Sequence, residues 1–229
     1  MKEIKSRLGI KSSLTKRRFD SLIAEFNTVV QSDWKDFETK ANKLCSSITN
    51  DEIKVVLSSE PIFQMAFPNG GYRDWYKGRL IQTLVTENYE LGDYLLEYSE
   101  VDDVKSFILE AGVYSDLKLI DKVALGSNGK AKAMAARFCS IEALREIKNT
   151  KDKAVQTACF QRLGPVECLD EMLGSRYASV RSEGLARAPM NYSKLKDMTG
   201  EIARQPFSLL VRKIPFEYLP MLLANRNVK

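Results

Sequence analysis

The sequence predicts an all-α fold: an α-solenoid of short helical pairs behind an N-terminal helical cap. Three observations predict it. Apolar residues recur at helical spacing along most of the 229 residues. No stretch shows the period-2 alternation of a half-buried strand. From about residue 100 the chain repeats itself at a period near 25 residues. The division implied is an N-terminal helical region, 1–99, and a repeat region, 100–229.

The elements follow in order. Phe19, Leu22, Ile23, Phe26, Val29 and Val30 mark the apolar face of a first helix, with Ser12 or Ser13 able to cap it. Ser32 is placed to cap a second, with Trp34, Phe37, Ala41, Leu44, Cys45 and Ile48 on one face. Asp33 and Asp36 suit the positive end of its dipole. Residues 51–59 read as a short third helix, and Pro68-Asn69-Gly70-Gly71 as the clearest break in the chain. After it, Tyr72, Trp75, Arg79, Leu80, Ile81, Leu84 and Val85 form another helix.

Four later segments align: 104–121, 130–148, 155–173 and 180–198. Each reads as an apolar-faced helix, a small-residue or Pro turn, and a second short helix. The second helices register at Leu117, Leu144, Leu169 and Leu195, with Ile120, Ile147, Met172 and Met198 three residues on. The leading helices register at Phe138, Leu163 and Ala188. One helix pair cannot bury its own apolar face, but stacked neighbours share a core.

The stretch from Lys151 to Gly164 resembles the first helix of a HEAT repeat. Asp152 matches that family's Asp, Val180-Arg181 matches its Val-Arg pair, and Leu163-Gly164 matches its Leu-Gly. The resemblance covers roughly residues 100–200, and its unit is short against the usual ~40 residues. It implies HEAT-like helical pairs and an interaction scaffold, with no ligand fixed.

Charge sharpens the functional reading. Residues 1–50 carry net +4, 51–121 net −8 and 122–229 net +9. The opposite blocks either neutralise each other within the fold or leave the basic half facing a polyanion. Arg137, Arg162, Arg187 and Arg212 are spaced by 25 residues each. In stacked repeats they would form a ridge, with guanidinium groups roughly 10 Å apart, and such a row can track a phosphate backbone. The structural alternative has each arginine bonding the carbonyls of its own helix end, or pairing with Glu146, Asp170, Glu171 or Asp197. Lys130, Lys132, Lys151, Lys153, Arg176 and Arg181 gather near the starts of the leading helices and extend the basic stripe, or are simply solvated.

Two further segments carry a binding alternative. The arm holding Lys2, Lys5, Arg7, Lys11, Lys16, Arg17 and Arg18 against Glu3 is either a basic arm that orders on nucleic acid or a frayed helix start. Tyr72, Trp75 and Tyr76 lie among Arg73, Lys77 and Arg79. They form either a stacking surface for single strands or, through Tyr72 and Trp75, an anchor of the helix in the core.

Several chemistries are excluded. The chain has no histidine, so Ser-His-Asp and Cys-His nucleophiles and His-ligated metal sites are absent. Cys45, Cys139, Cys159 and Cys168 form no CxxC pair and read as buried thiols of a reducing compartment. There is no phosphate-binding glycine loop of the Walker type. No apolar run approaches the ~20 residues of a membrane span, and the basic start lacks a signal-peptide core, which suits a cytoplasmic protein. No cofactor or metal is expected. The expectation is therefore a non-catalytic binding protein whose partner is nucleic acid or an acidic protein surface. A protein–protein adaptor is the rival, using the basic ridge or the acidic 87–121 region. Third comes base excision: helical-repeat enzymes of similar size use Trp and Asp in a basic groove, but here only Asp74 adjoins a tryptophan.

Overall fold

The computed structural model describes residues 14–68, 73–127 and 129–189. Among them lie thirteen helices and no strand, as the periodicity predicts. The chain divides into two compact units, Met1–Phe138 and Cys139–Lys229.

The first unit holds α1 (Lys16–Val30), α2 (Trp34–Ser47), α3 (Asn50–Ser58), α4 (Glu60–Ala66) and α5 (Arg73–Val85). It continues with α6 (Tyr89–Tyr98), α7 (Asp102–Ala111), α8 (Leu117–Gly126) and α9 (Gly129–Ala135). Helix α1 buries Phe19, Leu22, Phe26, Val29 and Val30, the face its spacing foretold. Its cap is Thr15, whose Oγ1 accepts from the Arg18 N–H; Ser12 and Ser13 lie outside the described residues. Asp33, not Ser32, is the N-cap of α2, while the Ser32 hydroxyl donates back to the Val29 carbonyl. Helix α4 is additional to the sequence reading. Pro61 sits in its first turn, where the missing N–H costs nothing, and it buries Ile62, Phe63 and Ala66.

The apolar centre of this unit contains Phe26, Phe63 and Phe67, all essentially fully buried. Phe67 stacks on Phe63 with centroids 4.6 Å apart and meets Phe26 edge-on at 5.4 Å. Each such ring contributes on the order of 1.5–3 kcal/mol through burial. Polar ties fix the chain between helices. Ser99 Oγ donates to the Leu57 carbonyl at 2.6 Å and the Glu100 N–H to that of Ser58 at 2.8 Å. Asp102 Oδ2 accepts from the N–H groups of Lys130 and Ala131, so the first residue of α7 caps α9.

The second unit contains α10 (Ile141–Ile147), α11 (Lys153–Leu163), α12 (Pro165–Leu173) and α13 (Ala178–Arg187). Ser140 caps α10 and Asp152 caps α11, each through a side-chain oxygen. Leu144, Ile147, Leu169 and Met172 are buried as the register requires. Leu117, its counterpart in the first unit, is 68% exposed, and burial there falls to Leu119, Ile120, Val123 and Ala124. Phe138 is exposed, Leu163 half-buried and Ala188 buried, so the leading-helix register does not mark one environment. Leu195 and Met198 lie outside the described residues. Helices α10 and α12 are joined by a bidentate pair, Arg145 Nε and Nη2 to the two Glu167 oxygens at 3.0 and 2.9 Å, and by Lys148–Glu171 at 2.8 Å. Cys45 is half-buried; Cys139, Cys159 and Cys168 are buried, and all four are free thiols.

Candidate functional site

A buried polar relay organises the basic surface of the second unit. Gln156, in the first turn of α11, donates from Nε2 to the Thr150 carbonyl at 2.7 Å and accepts from Ser175 Oγ at 2.9 Å. Ser175 Oγ accepts in turn from the Tyr177 N–H, and the Ser175 carbonyl accepts from Arg181 Nη1 at 2.6 Å. Both carbonyls and both side chains would be costly to bury unpaired. Satisfied together, they fix the link between α12 and α13 against the start of α11.

That link presents Arg176 and Tyr177 beside the residues before α11. Tyr177 Oη donates to the Lys151 carbonyl at 3.0 Å and accepts from Arg176 Nη2 at 2.6 Å. The Arg176 guanidinium lies 4.8 Å from the Tyr177 ring centre and Lys153 Nζ 6.0 Å from it. Lys151, Lys153 and Arg176 are exposed, and none is in an ion pair among the described residues. Asp152, between the two lysines, spends its carboxylate on the α11 N-terminus. The sequence reading named the three cations. It missed Tyr177, whose ring lies against Arg176 and Lys153 and whose hydroxyl bonds the Lys151 backbone; an aromatic next to Arg176 was the available signal.

The other anion candidates have different surroundings. Arg181 is buried, 7% exposed, and serves the relay rather than the surface. Lys130 pairs with Asp103 at 3.0 Å, a contact that raises its pKa, and Lys132 is half-buried. In the arginine ladder, Arg137 is exposed and lies just beyond the end of α9, not within a leading helix. Arg162, in the last turn of α11, is half-buried with Nη1 3.9 Å from Cys139 Sγ. Arg187 ends α13 and pairs with Glu183 one turn back. Arg212 lies outside the described residues.

A second feature belongs to the first unit. Trp34, Phe37, Trp75, Arg79 and Gln82 line a groove of about 700 Å³ along α2 and α5. Trp75 is 52% exposed and so does not anchor α5 in the core; Leu80, Ile81, Leu84 and Val85 do. Trp34, expected on the buried face of α2, is 66% exposed and packs on Trp75 with ring centres 5.0 Å apart. Tyr76 is half-buried and lies 4.7 Å from the Phe37 ring, while Tyr72 lies outside the described residues. Asp74, beside Trp75, is within 3.5 Å of Lys77, whose side chain is buried.

Among the described residues no group of His, Cys, Asp and Glu is arranged to hold a metal ion, and no helix is long and apolar enough to cross a membrane. Comparison with protein-family models, curated proteins and solved structures finds no match to this chain.

Proposed function

We propose that this chain is a non-catalytic helical-repeat binding protein, an α-solenoid in architecture, that engages nucleic acid through the basic surface of its second unit. One observation carries the reading: the exposed cations Lys153 and Arg176 lie against the Tyr177 ring, whose hydroxyl is bonded to the backbone of a third exposed cation, Lys151. The relay beneath them pre-orders the backbone that carries Arg176 and Tyr177, which lowers the ordering cost when an anion docks. A guanidinium and two ammonium groups suit phosphate oxygens spaced along a strand. The side-by-side bridging of α10 and α12, the second helices of consecutive segments, supports a stacked repeat.

A protein adaptor is the second reading. It is favoured by a groove of about 410 Å³ between α11 and α13, whose base includes Phe160, Met172 and Val180 and whose rim carries Lys153, Glu183 and Arg187.

Fluorescence anisotropy with labelled single- and double-stranded DNA and RNA, at low and near-physiological salt, tests the proposal. Binding is expected to weaken with log K slopes of about −0.9 per phosphate on duplex and about −0.7 on single strands. The triple variant Lys151→Ala, Lys153→Ala, Arg176→Ala should lose most of it. Folded protein with no low-salt binding refutes the reading and favours the adaptor.

A further inference from the structure

We propose that the aromatic groove of the first unit is a stacking site for unpaired nucleobases, giving the protein a preference for single strands. This rests on nucleic acid being the partner. Trp34 and Trp75 expose 66% and 52% of their surface. Large aromatic area left open to water is costly unless something covers it. The rings already fill the space between them: Trp34 and Trp75 centres are 5.0 Å apart, Phe37 and Trp75 centres 6.2 Å. These spacings leave no slot for a third ring between them, so an intercalated ring does not fit. What remains is the outer indole surface, which a base can cover by stacking.

Charge at the groove selects the same ligand. Lys35 and Arg79 line it with the indoles, and neither is in an ion pair among the described residues. Glu38 is the one carboxylate in that lining, leaving the cations in excess. Two cations flanking exposed aromatic rings recognise a base together with its phosphates. Duplex DNA keeps its base faces stacked internally and cannot offer them.

The chain supplies its own probe, because Trp34 and Trp75 are its only tryptophans. Intrinsic fluorescence of the full chain is titrated with oligo(dT) and with a duplex of equal length at low salt. Oligo(dT) is expected to quench the indoles and duplex to leave them bright. Trp75→Ala should weaken oligo(dT) binding about tenfold or more without changing duplex affinity. Trp75→Phe should recover part of the loss, and circular dichroism checks that each variant folds. Salt-sensitive binding through Lys151, Lys153 and Arg176 without quenching would overturn this inference and leave the proposed function standing. Quenching by oligo(dT) that survives the triple cation variant would support the groove and remove the second-unit cluster from the interface. Quenching by an acidic peptide but not by oligo(dT) would assign the groove to a protein and overturn the inference.

Discussion

Arg18 on α1 donates from Nε to Glu52 Oε1 on α3 at 2.6 Å, across 34 residues of sequence. The same guanidinium reaches Glu25 at 2.7 Å, and the second Glu52 oxygen accepts the Thr49 N–H in a capping box. One carboxylate thus closes a helix start and joins two helices. Its hydrogen bond from Arg18, more than any other contact, holds the Glu52 carboxyl below its ordinary pKa against the opposing effect of burial.

The pH consequence has a definite sign. A carboxyl whose pKa is depressed by folding stabilises the native state above its unfolded value, and that stability is lost as pH falls through the folded value. Acid titration of the wild type should therefore show a loss below the ordinary carboxylate range that Glu52→Gln does not show. At neutral pH, Arg18→Ala should cost about 1–2 kcal/mol, more than Glu52→Gln, because it strands a buried charge. Urea melts at pH 7 and pH 3 read both.

Gly92→Ala tests packing against backbone. A Cβ there would sit 1.8 Å from the Val113 carbonyl oxygen, which no rotamer change can relieve. The expected cost is about 3 kcal/mol or more. Gly126 has open space around it, and Gly126→Ala at the end of α8 should be neutral or stabilising by up to about 1 kcal/mol. Equal thermal shifts for the two would refute the close approach of α6 to Val113.

Leu144→Ala and Leu169→Ala should each destabilise by about 2–5 kcal/mol, whereas Leu117→Ala should change stability by under about 0.5 kcal/mol. Denaturant melts separate this from the uniform register that the sequence alone suggests.

Ser175→Ala removes the hydroxyl that bonds Gln156 and the Tyr177 N–H. It should cost about 1–3 kcal/mol and, by loosening the Arg176–Tyr177 link, weaken anion binding without removing a charge. Unchanged binding in folded Ser175→Ala would disconnect the relay from the site.

The helical class and most buried faces were legible because spacing reports angle around a helix. Spacing does not report where a helix begins, and this accounts for Trp34 and Leu117. Both are first residues of their helices. Side chains lean toward the N-terminus, so a first residue points past the end of its own helix and away from the face it shares by angle. The basic cluster was legible as charge but not as geometry. Arg181 looks like Arg176 in sequence, and only the Ser175 carbonyl, brought within reach by the relay, takes it inside. Likewise no spacing rule pairs Arg145 with Glu167; the bond exists because α10 and α12 lie side by side.

The residues that rarely appear in this chain also fall unevenly. Both tryptophans belong to the first unit, and three of the four cysteines, all buried, to the second. Burial pushes the Cys159 thiol up to about 12 and the Cys168 thiol to about 11, so at neutral pH these sulfurs carry almost no thiolate and meet no reagent while their unit is closed. With Cys45→Ser in place, indole emission follows the opening of the first unit and thiol trapping that of the second. The chain thus comes with two non-overlapping optical and chemical clocks, enough to time whether its halves come apart together or in succession.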